Sequence, residues 1–310
     1  MRTLVTGGAG FIGSNLVDSL IVRGDQVTVI DDFSTGRQAN LEAALGTGSG
    51  ITVHHLDVSD APAVMTIFES ARPEVVFHLA ARIDVRRSVS DPAGDAKVNV
   101  LGTIAVLEAA RACGCRRVVN VSSGGALYGE AEDLPTPEHY PVRPLAPYGQ
   151  GKSAAEGYCE LYTRLHGLST ISLRPGNVYG PRQDAEGEGG VVAIFCGHLM
   201  AGRMPTVYGD GRQTRDWVEV SDVVRANLLA AGSELTGPVN IGHGQETSVL
   251  QLLDALRDVS DRPMPEPQFA PERPGEVRRS CVDVSHAGRE LGWVPEIDLR
   301  DGLRTILARL

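Results

Sequence analysis

The stretch from Thr3 to Asp31 constrains this chain more than any other. Thr3-Leu4-Val5-Thr6 has the apolar, β-branched character of a short buried strand, and Gly7-Gly8-Ala9-Gly10-Phe11-Ile12-Gly13 follows without a gap. Gly7, Gly10 and Gly13 supply a tight turn, close approach of backbone to a pyrophosphate, and close helix packing, with phosphate at the helix N-terminus. The helix shows in the spacing of Ile12, Leu16, Leu20 and Ile21. A second strand, Gln26 to Ile30, ends at Asp31, eighteen residues past Gly13, where a carboxylate can hold adenosine ribose hydroxyls and repel a 2′-phosphate. Strand, glycine triplet, helix, strand and acid in this order predict a dinucleotide site selective for NAD over NADP.

The same alternation continues. Strands are predicted at Ile51–His55, Glu74–His78, Arg117–Ser122 and Leu168–Leu173, with helices at Val100–Ala112 and Ser153–Leu165. The fold class is therefore α/β, a Rossmann-type doubly wound parallel sheet covered on both faces. Asp57-Val58, Leu79-Ala80-Ala81 and Ser122-Ser123 fall at or just after strand ends, where ligands collect in such sheets. After Asn177 the pattern breaks. Gly180-Pro181-Arg182, Gly187–Gly190 and Arg262–Pro274 read as loops around a smaller lobe, giving a nucleotide-binding domain over 1–176 and a substrate-binding lobe over 177–310, with segments after 215 free to pack back onto the first domain.

Lysine occurs only twice, at Lys97 and Lys152, in a chain that otherwise carries its positive charge on arginine. Lys152 stands four residues after Tyr148, which on a helix puts an ammonium one turn from a phenol. Such a cation is expected to lower the phenol's pKa and make Tyr148 a usable acid or base. A compact ammonium, and not a guanidinium fork, is what that position demands.

Composition limits the partners. A formal charge of -10 argues against nucleic acid or an anionic membrane, although local arginines can still hold a phosphate. No apolar run approaches the ~18 residues of a membrane span, and Met1-Arg2 leads directly into a strand with no signal peptide, so a cytoplasmic protein is expected. The five cysteines, Cys113, Cys115, Cys159, Cys196 and Cys281, are odd in number and lack zinc spacing with histidine, so no disulfide and no metal is expected. Of the eight histidines, His78 at a strand end is the one placed to line the cofactor site.

Thr6–Gly13, His78–Ala81, Ser122-Ser123, Tyr148 with Lys152, and Arg215-Asp216-Trp217 together resemble the extended short-chain dehydrogenase/reductases, most of all the nucleotide-sugar 4-epimerases of the UDP-galactose (UDP-glucose) 4-epimerase type. The resemblance runs from Met1 to about Trp293. It implies a catalytic Ser123, 25 residues before Tyr148, with Ser122 as the alternative. It implies that Tyr148 takes the proton of the sugar's 4-hydroxyl, that Ser123 hydrogen-bonds that oxygen, and that Lys152 bridges the nicotinamide ribose. NAD then accepts and returns the hydride of carbon 4 through a 4-keto sugar. Further cofactor contacts implied are Asp32, Phe33, Ser34, Thr35, Gly36, Asn99 and Gly176. The diphosphate falls to Asn177, Arg215 and Arg273, with Arg212 a further candidate, because arginine suits charge-assisted bonds to phosphate. A homodimer is implied through the apolar stripes of the two helices, which include Ile104, Leu107, Tyr158, Leu161 and Tyr162.

Departures from the family pattern narrow the substrate. Glu276 stands where an Asp is usual, and its longer carboxylate can still accept from a ribose hydroxyl. Ser280 replaces the bulky Tyr of narrowly glucose/galactose-specific relatives, which leaves the N-acetylhexosamine pair open beside UDP-glucose/UDP-galactose. Asp184 follows Arg182-Gln183 where uronate-epimerising relatives place a base, which disfavours UDP-glucuronate 4-epimerisation. Gly124-Gly125 occupies the place of the acid pair that 4,6-dehydratases need. The remaining alternatives are another nucleotide-sugar oxidoreductase releasing NADH, and a non-enzymatic NAD-binding regulator, which would usually have lost Tyr148 or Lys152. Uridine against thymidine as the nucleoside stays open.

Overall fold

The computed structural model describes residues 1–48, 50–185, 190–272 and 276–310. Its main sheet has seven strands: β1 (Arg2–Thr6), β2 (Gln26–Asp31), β3 (Ile51–His55), β4 (Val75–His78), β5 (Arg117–Val121), β6 (Ser169–Pro175) and β7 (Gly237–Ile241). Their order is β7-β6-β5-β4-β1-β2-β3, and β1 to β6 pair in parallel. The chain thus builds outward from β1 to β3, then returns to place β4 on the other side of β1. Between β1 and β4 the winding reverses, the place where such sheets open a crevice beyond their strand ends.

The chain divides into two compact units. One comprises Met1–Ser123, Ala146–Arg174 and Val224–Val239. Strands buried on both faces read as continuous apolar runs, and every residue of β4 and β5 is buried. Leu4, Ile30, Phe68, Val76, Val106, Leu107, Val118 and Cys159 form its core. The helix predicted from Val100 begins as a wider π turn, Lys97–Gly102, before Thr103–Ala112. Gly102 lies against Val58, and a Cβ there would come within 2.8 Å of a Val58 methyl. The helix predicted from Ser153 starts earlier, at Pro147, and runs to His166; proline fits the first helical turn, where its missing N–H is not needed.

The other unit comprises Gly124–Leu145, Pro175–Val223 and Asn240–Leu310. Its core gathers Tyr179, Phe195, Trp217, Leu252, Leu256, Leu303 and Ile306. Short parallel strands Asn177–Tyr179 and Trp217–Glu219 pair within it, and helix Val249–Val259 opens on a capping box of Ser248 and Gln251. The stretch 262–274, expected to be loop, includes a three-residue strand, Gln268–Ala270, paired with Thr206–Tyr208. The predicted loop 187–190 lies outside the described residues except for Gly190. All five cysteines are free, and no helix among the described residues is long and apolar enough to cross a membrane.

Candidate active site

The glycine triplet closes the turn after β1 as tightly as its composition allows. Gly7 has φ +69°, and a Cβ there would lie 2.7 Å from the Ala80 nitrogen, just beyond β4. A Cβ on Gly13 would overlap the Gly7 carbonyl. Helix Phe11–Val22 therefore starts directly on this loop, with Gly10 at its N-cap, no side-chain cap and no acid in its first turn. Such an end offers backbone N–H groups and a positive dipole to an anion.

Asp31, at the end of β2, is 5 % exposed. Its Oδ2 accepts from the Ala9 N–H and its Oδ1 from the Phe33 N–H, both at 2.8 Å. Burial raises its pKa and these two hydrogen bonds pull it back. Each oxygen keeps a second lone pair, so the carboxylate can still accept from a ribose. Gly36 lies across it, since a Cβ there would come 2.7 Å from Oδ1. Asp32 is exposed and its carboxylate holds the Ser34 backbone and hydroxyl at 2.9 and 2.6 Å. Phe33 takes a left-handed φ of 55° and meets His55 edge-on, while Thr35 is exposed. Asp57 caps the turn after β3 through the Ser59 N–H at 2.8 Å, and Val58 is buried. This cradle of glycines, free helix end and ribose-directed acid fits a dinucleotide.

Tyr148 and Lys152 share helix Pro147–His166, one turn apart, with the Tyr148 N–H on Ser88 Oγ at 3.1 Å. Ser123, which follows β5, neighbours the Tyr148 hydroxyl and lowers its pKa. Lys152 is 6 % exposed and donates its ammonium to the Val121 carbonyl, the last residue of β5, at 2.9 Å. Helix and strand end thus bring the three residues together. Ser122 is also buried, and its hydroxyl makes no hydrogen bond.

The electrostatics correct one expectation. Lys152 was expected to depress the Tyr148 phenol, yet in the protein alone burial, aided by Asp95 and opposed only by Ser123, pushes that phenol up to about 12. The cause is desolvation of the phenol. Burial also pushes Lys152 down to about 8, against the pull of Asp95 and Glu156.

A polar chain unmarked by any motif runs beneath the site. Thr6 Oγ1 and His78 Nδ1 are 2.7 Å apart, His78 Nε2 and Thr103 Oγ1 2.9 Å, and Thr103 donates to the Asn99 carbonyl at 2.8 Å. Since the single Thr103 proton is on Asn99, His78 Nε2 must be the donor to Thr103, and Nδ1 accepts from Thr6. The Ala80 N–H completes the series on Thr6 Oγ1 at 3.2 Å. Burial first, and then Lys152, push His78 down to about 3, so it is neutral. Asn99 is 2 % exposed, and its amide spans the Arg82 backbone in both directions and Asp95 Oδ1, at 2.9 to 3.0 Å. Leu79 and Ala81 flank Ala80 and are half-buried.

In the second unit, Gly176 donates to the Ile241 carbonyl at 2.8 Å and Asn177 to the Asp216 carbonyl at 2.7 Å. Asp216, wholly buried, accepts from the His243, Gly244 and Val282 N–H groups and stiffens this turn. Arg215 donates to the Thr214 and Val277 carbonyls at 2.8 Å and stands 4.0 Å from Glu276. Burial lowers its pKa against Glu276 and Glu130. Arg212 is exposed, with its N–H on Asp210 Oδ1 at 2.9 Å, and Ser280 is half-buried. Arg273 lies outside the described residues. No group of three or more metal-ligating side chains occurs among the described residues.

Residues 3–242 match the model of the NAD dependent epimerase/dehydratase family. The chain belongs to that family. The UDP-glucose 4-epimerase of Mycolicibacterium smegmatis is 48 % identical over 98 % of this chain and 96 % of its own length. Among solved structures, the UDP-glucose 4-epimerase of Thermotoga maritima with UDP-glucose superposes with a TM-score of 0.95 at 43 % identity, over 99 % of this chain and 98 % of that one. The UDP-glucose 4-epimerase of Thermus thermophilus, complexed with NAD, gives 0.92 at 41 % identity over the same shares.

The chain belongs to an NAD-dependent family, and the glycine turn and Asp31 that fit a dinucleotide lie in the first unit. The family spans epimerases and dehydratases, and here the residues after Ser123 are Gly124 and Gly125, which open a short helix, Gly124–Leu127, with no acid. Sequence reading missed Thr6, Thr103 and Asp95. The signal for Asp95 was its i, i+4 spacing to Asn99, which on a helix places the two side chains together.

Proposed function

We propose that the protein is a nucleotide-sugar 4-epimerase that interconverts UDP-glucose and UDP-galactose through a 4-keto intermediate, with NAD as resident cofactor. One observation carries the reading: a phenol and an ammonium one helical turn apart, with Ser123 beside the phenol and the ammonium anchored at the end of β5. NAD, when bound, supplies the acceptor that stores and returns the electron pair of carbon 4. Gly7, Gly10, Phe11, Ile12 and Gly13 would hold its pyrophosphate, and Asp31 its adenosine ribose. Tyr148 takes the proton of the 4-hydroxyl and gives it back, and Ser123 holds that oxygen in line. A phenol that burial keeps protonated needs a nearby positive charge to release its proton, and Lys152 is the group that provides one. Asn177, Arg215 and Arg273 would hold the diphosphate and Glu276 the uridine ribose, with Arg212 a further candidate for phosphate.

Ser280 favours a second substrate pair, the N-acetylhexosamines, because a small side chain leaves room that a tyrosine would fill. We also read the protein as a cytoplasmic homodimer. Leu101, Leu161 and Leu165 on the helices Lys97–Ala112 and Pro147–His166 are 58, 38 and 66 % exposed, a surface suited to a second copy. Leu107 and Tyr162 from the same stripes are buried in the unit's own core.

The test is incubation of the purified protein with UDP-glucose, UDP-N-acetylglucosamine and UDP-glucuronate in turn, with chromatographic separation of epimers. UDP-galactose accumulating to a constant ratio with UDP-glucose, without growth of NADH absorbance, is the expected result. Steady NADH release, or turnover of the glucuronate alone, would overturn the reading.

A further inference from the structure

Lys152 is a buried cation in a site that disfavours charge, and the groups around it decide whether it remains one. On its own helix stand Tyr148, Glu156 and Cys159. His78 approaches from the end of β4, and Asp95 from the short helix Pro92–Ala96. His78 is neutral. Glu156 is tied to Arg174, with Oε1 taking the guanidinium Nε at 3.0 Å and Oε2 taking Nη2 at 2.6 Å, so its charge is already balanced. Arg82, the other cation acting on Asp95, is bound to Asp91 at 2.7 Å. These pairings leave Asp95 as the buried carboxylate whose field acts on Lys152 without an ion pair of its own.

The placement of Asp95 is specific. It is 2 % exposed, and its Oδ1 accepts from Asn99 Nδ2 at 3.0 Å. Its Oδ2 lies against the helix backbone at Gly151, where an added Cβ would come within 3.1 Å of that oxygen. Gly151 is the residue before Lys152, so its lack of a side chain lets the carboxylate reach the turn that bears the ammonium. A buried carboxylate needs such a counter-charge, and a buried ammonium needs the carboxylate.

We propose that Asp95 is a positioning residue for Lys152: fixed by Asn99 and seated on Gly151, it keeps the buried ammonium charged at neutral pH. The inference deepens the functional reading above, because a neutral lysine could not assist Tyr148. Asp95 also raises the Tyr148 phenol, so its removal lowers both groups together and moves the working pH range downward as a unit.

The scarcity of lysine makes the test direct. Full-length protein labelled with 13C at the lysine ε-carbon gives two signals, Lys152 and the exposed Lys97, and Lys97→Arg assigns them. In the wild type the Lys152 signal is expected to titrate near 8 and to show a second, acid-side inflection as Asp95 protonates. Asp95→Asn, which keeps an acceptor for Asn99, is expected to lower the Lys152 midpoint by about one pH unit or more and to erase the acid inflection. The alkaline limb of kcat should move down by the same interval with KM for UDP-glucose unchanged. An unmoved Lys152 midpoint overturns the proposal. So does a wild-type signal without an acid inflection, a result that stands even if Asp95→Asn fails to fold. Because the titration reads charge and not turnover, an inactive protein with a shifted midpoint would contradict the epimerase reading and leave this one intact.

Discussion

The Lys152 ammonium donates to the Val121 carbonyl at 2.9 Å, which pins the helix bearing Tyr148 to the end of the strand that delivers Ser123. One proton of the ammonium is therefore structural, and two remain for the site. Lys152→Met is expected to lower kcat by about 10²-fold or more. Lys152→Arg should rescue little, since a longer planar fork does not fit a buried space shaped for a compact ammonium. Steady-state kinetics on both variants, with NAD content checked by absorbance, decides this.

His78 gives the fold a pH dependence of known sign. Its folded pKa, about 3, lies below the ordinary value of 6.5, so the unfolded chain binds the proton more readily. Stability from this residue is complete above pH 6.5 and is lost as pH falls toward 3, at up to about 1.4 kcal/mol per pH unit. Between pH 6.5 and 5, before most carboxylates titrate, denaturant unfolding should show that slope in the wild type and a flatter one in His78→Gln.

Gly13→Ala drives a Cβ into the Gly7 carbonyl, an atom of the backbone that cannot swing aside. Destabilisation of about 1–3 kcal/mol is expected, with a larger loss of NAD affinity than of stability, because the turn being displaced is the phosphate cradle. Calorimetric NAD titration beside thermal melts separates the two.

Asp31 should reject NADP. A 2′-phosphate would meet a buried carboxylate whose position two backbone N–H bonds fix, so it cannot turn away. NADP is expected to bind at least about tenfold more weakly than NAD, a difference of ~1.4 kcal/mol or more, and Asp31→Asn should narrow the gap. Competition of the two cofactors by fluorescence provides the measurement.

Much of this fold was legible because its signals are local. Strands buried on both faces announce themselves as apolar runs, and β1 to β3 were read to within a residue or two. The helix bearing Tyr148 was placed six residues late, since Pro147-Tyr148-Gly149-Gln150-Gly151 carries two glycines and a proline that argue against helix until the proline is seen as its first turn. The π turn at Lys97–Gly102 was invisible, because its end packs on Val58, forty-four residues before Gly102, a contact no local pattern shows. The pKa of Tyr148 was misjudged for the same reason. Spacing shows that a cation is one turn away, but the degree of burial and the approach of Asp95 are tertiary facts.

The central claim is that one bound NAD takes the hydrogen from carbon 4 and returns it to the opposite face while Tyr148 handles the proton. UDP-glucose deuterated at carbon 4 tests this most directly. The account expects UDP-galactose with deuterium retained at carbon 4, and no such product from Tyr148→Phe. Epimer that has lost its deuterium to solvent, or undiminished conversion by Tyr148→Phe, would contradict it.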